Sequence, residues 1–196
     1  MTLKEIKAMN CAENAKVLNS LQIVEIDFWK ELYKSKENYQ EYRKNDVYKY
    51  EFLFNEVKKE KNKGLDYGCG LVSMLEGHNI DFEACDPLID EYRKIVSLDK
   101  RYLSALNKKY SWIWCVNVID HENNWQEIVE DFKRLLKKRG KLFFEVNFDD
   151  NLSPAHSKLW RIDDVRESLK DFKLVKEDVY RLDSEKQSIY QGIYEI

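Results

Sequence analysis

Leu65-Asp66-Tyr67-Gly68-Cys69-Gly70 sets an acid and two glycines in D-x-G-x-G spacing at the end of a short apolar run. Glycines there let the backbone pass close to a ligand, and a helix opened by such a turn would offer free amide donors to it. Asp66 stands two residues before the first glycine, where a carboxylate can reach a cationic amino-acid moiety. A dinucleotide fingerprint would need its third glycine at Ser73, so the nicotinamide pattern fails. Asp86 closes the next apolar run, sixteen positions after Gly70. An acid emerging there sits beside the glycine turn and can take both hydroxyls of a ribose, because a carboxylate accepts two hydrogen bonds side by side. A ligand-free turn begun by Asp86-Pro87 is the plainer alternative. His121 follows the most apolar run of the chain. Imidazoles accept protons near neutral pH, which makes it a candidate base. Asp120 beside it and Glu145 on the following strand complete the acid–base candidates, with helix capping as the structural alternative for Asp120 and His121.

These residues need a scaffold that brings strand ends together. Up to about Lys61 the apolar spacing is helical, with Phe28, Trp29, Leu32 and Tyr33 three to four apart. Beyond it, short apolar runs alternate with amphipathic stretches, the pattern of a mostly parallel sheet. Strands are predicted over Gly64 to Tyr67, Ile80 to Cys85, Ile95 to Leu98, Trp112 to Val118 and Lys141 to Phe148. A helix is predicted from Trp125 to Lys138, stopped at Gly140, and another from Asp163 to Leu169. Two final strands, Phe172 to Arg181 and Ser188 to Ile196, have no crossover helix between them and must pair antiparallel. The expected fold class is α/β: a Rossmann-like, seven-stranded, mostly parallel sheet ending in an antiparallel hairpin, with N-terminal helices. The 196 residues make one domain, with residues 1–61 a helical cap and 62–196 the Rossmann-like core.

Composition narrows the function classes. A net charge of -3 and the lack of a basic stripe give no reason to expect nucleic acid as a partner. The four cysteines contain no C-x-x-C pair, so neither a zinc site nor a disulfide framework is expected, and no metal is assigned. The first ten residues carry charges where a signal peptide needs an apolar run, and no stretch reaches membrane-spanning length. The expectation is a cytoplasmic protein with a small-molecule substrate and no membrane partner.

The order D-x-G-x-G, strand, acid, apolar strand, helix, K-x-G-K-L resembles the class I S-adenosylmethionine-dependent methyltransferases from Gly64 onward. Phe28-Trp29, Asp86 to Tyr92 (DPLIDEY), Asn117 to His121 (NVIDH) and Phe143 to Asn147 (FFEVN) are similar to methyltransferases of bacterial capsule and surface-polysaccharide gene clusters. The resemblance implies S-adenosyl-L-methionine as cofactor. Asp66, Gly68 and Gly70 would hold its methionine part and Asp86 its ribose, with Pro87 and Leu88 packed on the adenine and Asn117 lining the methyl-transfer pocket. The acid that often begins the fourth strand is replaced here by Ser111-Trp112, and no acid for the adenine amine stands out, with Asp99 and Arg101 competing for that region.

In such chemistry His121 would act as base toward an acceptor hydroxyl, with Asp120 and Glu145 beside it. Arg43, His156 and Trp160 would meet the acceptor, with Lys158 and Arg161 available for a phosphate. The acceptor implied is a sugar or a phosphate-bearing precursor of a surface polysaccharide. The competing class is a non-catalytic, cofactor- or partner-binding protein on the same fold, which calorimetry with the cofactor discriminates.

Overall fold

The computed structural model describes residues 20–34, 49–98, 100–122, 125–148, 159–182 and 187–196. Arg43, His156, Lys158 and Asp99, singled out above, lie outside the described residues. Among the described residues two helices come first, α1 (Ser20–Tyr33) and α2 (Glu51–Val57). Then follow β1 (Gly64–Tyr67), β2 (Phe82–Cys85), α3 (Ile89–Tyr92), β3 (Tyr102–Leu103) and β4 (Tyr110–Cys115). The chain ends with α4 (Trp125–Leu135), β5 (Leu136–Phe148), α5 (Ile162–Ser168), β6 (Lys173–Leu182) and β7 (Gln187–Glu195).

The seven strands form one sheet in the order β3-β2-β1-β4-β5-β7-β6. The first five pair parallel, while β7 lies antiparallel to both β5 and β6. The expected mostly parallel sheet with an antiparallel hairpin is therefore the observed one. Strand alternation divides the core between the two faces. Ile113 and Cys115 of β4 join Leu142 and Phe144 of β5 under α4 and α5. Trp112 and Trp114 point the other way and join Phe143, Ile189 and Ile193 under α1 and α2. Gln191, fully buried on that second face, accepts the Leu53 N–H at 3.4 Å and donates to the Lys49 carbonyl at 2.9 Å, tying α2 to β7.

Three expected elements differ. The third strand lies at Tyr102–Leu103 and not at Ile95 to Leu98, because the Ile95 and Val96 amides turn back onto the Tyr92 carbonyl and continue the helical turn of α3. The long helix ends at Leu135, and Gly140 does not stop it. Gly140 is buried inside β5 next to a bulge, and the left-handed residue there is Arg139, at φ 63°. A side chain at Gly140 would press on the Lys137 carbonyl at 2.8 Å, so spatial confinement explains the glycine. Finally, no helix follows the glycine turn: residues 71–79 run through turns. Gly77 and Asn79 both take positive φ in this short span, which leaves no room for a regular helix before β2.

Candidate active site

The parallel half of the sheet reverses its direction of growth between β1 and β4. In open α/β sheets, ligands bind beyond the carboxyl ends of the strands at such a switch point. A cleft lies there, lined by Gly68 and Gly70 after β1, Asp86 and Leu88 after β2, and Asn117 and His121 after β4. Residues fifty or more positions apart thus converge because their strands end at one edge.

The glycine turn is held from below. The Gly68 and Cys69 amides donate to the Cys85 carbonyl at 2.8 and 3.1 Å, and the Gly70 amide donates to Asp86 Oδ2 at 3.0 Å. The expectation of free helix-end amides is thereby corrected: with no helix to leave them over, the turn spends these three donors on β2. Gly68 and Gly70 have φ of 77° and 63°, in the left-handed region that favours glycine. A Cβ on Gly68 would stand 2.4 Å from a Val118 methyl, and one on Gly70 would stand 2.7 Å from the Trp29 ring. The turn is thus a cradle closed on one side by β4's continuation and on the other by α1.

Asp86 is clamped in place by a second amide, that of Leu88, which donates to Oδ1 at 2.8 Å. Each carboxylate oxygen therefore takes one backbone bond and keeps capacity for another. Burial pushes its pKa up to about 7; the two backbone donors oppose that, and the nearby Glu25 and Glu122 charges add to it. Pro87 is exposed and Leu88 buried, both at the cleft wall.

Asp66 sits differently. It is buried beneath the turn, accepts the Ser73 hydroxyl at 2.5 Å, and does not line the cleft. The Ser73 amide in turn donates to the Tyr102 hydroxyl at 3.0 Å, so Asp66 anchors the loop that replaces the expected helix.

Asn117 holds a positive φ of 57° at the end of β4. Its amide donates to Glu145 Oε2 at 2.6 Å, and its Oδ1 accepts from Asn147 Nδ2 at 2.8 Å. That same Asn147 nitrogen lies 3.2 Å from Asp120 Oδ2. Asp120 and Glu145 are buried under the cleft floor, and they shape Asn117 and the turn Ile119–His121 from behind. His121 reaches the cleft with a fifth or so of its side chain exposed, its Nε2 4.0 Å from Asp120 Oδ1. Trp160 is fully buried against Trp125, ring centroids 5.3 Å apart, and belongs to the core under α4 and α5.

Sequence reasoning missed several lining residues, among them Glu25, Met74, Tyr92 and Glu122. Glu25 accepts the indole N–H of Trp29 at 2.5 Å, one helical turn on. The four-residue spacings of Glu25 with Trp29 and of Leu88 with Tyr92 were the available signals, since they place each pair on one helical face.

The sequence matches a family model, methyltransferase domain, over residues 38–180. The chain belongs to the methyltransferase domain family. No curated protein matches it in sequence. Among solved structures, this methyltransferase is similar to 1,6-didemethyltoxoflavin-N1-methyltransferase of Burkholderia thailandensis, with bound 1,6-didemethyltoxoflavin and S-adenosylhomocysteine. The TM-score is 0.59 at 12% identity, over 93% of this chain and 92% of that one. It is also similar to magnesium protoporphyrin IX methyltransferase of Synechocystis with bound S-adenosylmethionine, at TM-score 0.59 and 15% identity over 92% and 99% of the two chains. The N-methyltransferase NodS of Bradyrhizobium japonicum, in complex with S-adenosylhomocysteine, gives TM-score 0.58 and 12% identity over 75% and 85%. At these identities the likeness speaks for the fold alone, and each of the three neighbours holds S-adenosylmethionine or S-adenosylhomocysteine. Among the described residues no helix is long and apolar enough to cross a membrane.

Proposed function

We propose that this methyltransferase binds S-adenosylmethionine in the cleft at the β1–β4 switch point and methylates a hydroxyl of a small polar acceptor in the cytoplasm. The observation that carries the reading is Asp86, fixed by the Gly70 and Leu88 amides in one cleft with Asn117 and His121. Asp86 accepts the ribose hydroxyls, Gly68 and Gly70 give the methionine part room, and Leu88 with Pro87 packs on the adenine. Asp66 serves by fixing the turn, one bond removed from the ligand. When bound, the cofactor supplies a methyl group on a sulfonium sulfur. Asn117 borders the acceptor's approach, its conformation set by Glu145 and Asn147. His121 takes the proton that leaves the acceptor hydroxyl, with the Asp120 carboxylate 4.0 Å from its Nε2.

The acceptor class follows from the resemblance to polysaccharide-cluster methyltransferases and from charge. Glu25, Asp86 and Glu122 line the cleft, and no Lys or Arg is among its described lining residues. A neutral sugar hydroxyl suits that lining. Of the two residues available for a phosphate on the same precursor, Lys158 lies outside the described residues and Arg161 stands exposed at the start of α5, outside the cleft lining.

Calorimetry with S-adenosylmethionine and S-adenosylhomocysteine, without added metal, tests the cofactor site. Micromolar binding is expected, weakened by about 1–3 kcal/mol in Asp86→Ala, the usual loss of charge-assisted hydrogen bonds. Unchanged affinity in that variant removes the ribose assignment. Methyl transfer assayed against nucleotide sugars, free sugars, amino acids, phenols and a protein lysate tests the acceptor. Transfer to protein alone would end the sugar reading.

A further inference from the structure

Tyr92 ends α3, is fully buried, and lines the cleft beside Asp86. Its hydroxyl has no hydrogen-bond partner among the described residues. Such a group is uncommon, because a buried donor left unmade forfeits the hydration it had in the unfolded chain. Phenylalanine would fill the same volume without that loss, so packing does not account for the oxygen. Three carboxylates, Asp86, Glu25 and Glu122, share the cleft with it, yet none accepts its proton. Burial, with the charges of Asp86 and Glu25 behind it, drives the phenol pKa far upward, so the group stays a neutral donor.

Asp86 in its ionised form accepts only, and its two oxygens each already hold one backbone amide. Tyr92 is a donor seeking an acceptor. A ligand hydroxyl answers both, since it donates through its hydrogen and accepts on its oxygen. We propose that Tyr92 is a cofactor-binding residue whose hydroxyl donates to one of the two vicinal ribose hydroxyls while that hydroxyl donates to Asp86. The pair reads a ribose and rejects its deoxy forms. This rests on the cofactor reading of the cleft given above.

The test uses the full chain and Tyr92→Phe, with thermal unfolding and calorimetry against S-adenosylhomocysteine and its 2′-deoxy and 3′-deoxy forms. Without ligand, the variant should melt at the same temperature as the parent or higher, because an unpaired polar atom has been removed. Its affinity for S-adenosylhomocysteine should fall by about 3- to 10-fold, the worth of one hydrogen bond. With one of the deoxy forms, parent and variant should bind equally, as the partner hydroxyl is gone. A lower melting temperature without ligand overturns the proposal, because the hydroxyl then has a partner in the free protein. Equal affinity for S-adenosylhomocysteine overturns it too, as does a loss that persists in full with both deoxy forms. A parent protein that binds no S-adenosylhomocysteine brings down the cofactor reading and this proposal together. A parent that binds while the variant binds equally brings down the proposal alone.

Discussion

At the scale of single residues, what decides behaviour is which groups meet water and which meet one another. Asp86 is a carboxyl whose pKa is raised to about 7 by burial, so near neutral pH it is part protonated in the free protein. A sulfonium ligand favours the ionised form. Binding should therefore release protons, and S-adenosylmethionine affinity should fall as pH drops through 7. Neutral S-adenosylhomocysteine should show a weaker dependence, which calorimetry across pH 5.5–8 in buffers of differing ionisation heat would reveal as about 0.5 protons or fewer. The sign for folding is opposite. A raised carboxyl pKa stabilises the free fold below the ordinary value of 3.8, and that contribution is lost as pH climbs to about 7. His121 acts on the other side of the cleft. His121→Ala should lower turnover by about 10²–10⁴ while leaving cofactor affinity within two-fold. Turnover preserved within a few-fold would place the base elsewhere.

At the scale of elements, the contact between α1 and the glycine turn is the unusual feature. Gly70 meets Trp29, which is tied to Glu25 on its own helix, so α1 leans on the turn through one ring. Gly70→Ala should cost about 1–2 kcal/mol for the left-handed backbone alone, and more for the ring contact. Trp29→Ala in the same chain should relieve the second part and leave the first. Urea denaturation of the single and double variants measures the coupling, and strictly additive losses would show that the ring is not in the way. This contact also marks the limit of what was legible beforehand. β1, β2, β4 and β5 could be read because apolar runs such as Trp112 to Cys115 are buried on both faces, and burial of that kind is written locally. The β6–β7 hairpin followed from the missing crossover. β3 could not be read, because Tyr102 is a strand residue only by pairing with Ala84, while the more apolar Ile95 and Val96 are spent on a turn. In the site, Asp86 and His121 were visible as acid and base at strand ends. Tyr92 and Glu25 were not, since their relevance depends on α1 and α3 folding back over a strand edge, while Glu122 was passed over next to His121. Nor could local pattern foretell that Asp66 would be turned inward by Ser73.

At the scale of the molecule, the sheet has two faces and both need cover. On the α4–α5 face the cover comes from within residues 62–196, and Phe132, Leu135 and Val165 are fully buried there. On the other face it comes from the N-terminal stretch: Ile26 and Trp29 of α1, then Tyr50, Leu53, Phe54 and Val57 at α2, all at most 7% exposed. Beneath them lie Trp112 and Trp114, among the largest fully buried side chains. Residues 1–61 read in sequence as a cap added to a core, yet six of the 21 described buried residues of one core layer belong to them. Each such side chain contributes about 1.5–3 kcal/mol by leaving water, and losing several of them at once removes more than a domain with roughly 5–15 kcal/mol of net stability readily tolerates. The loss of the Gln191 bonds to Lys49 and Leu53 would further strand a buried amide. A fragment of residues 62–196 should therefore not fold as a unit: it should lack a cooperative thermal transition, bind a hydrophobic dye, and show no near-ultraviolet signal from its buried tryptophans. Adding back a peptide of residues 1–61 should restore that signal in proportion to peptide bound, because the missing layer is supplied in trans. A fragment that melts cooperatively alone would mean that the α1–α2 layer is a detachable lid, with the sheet stable behind it.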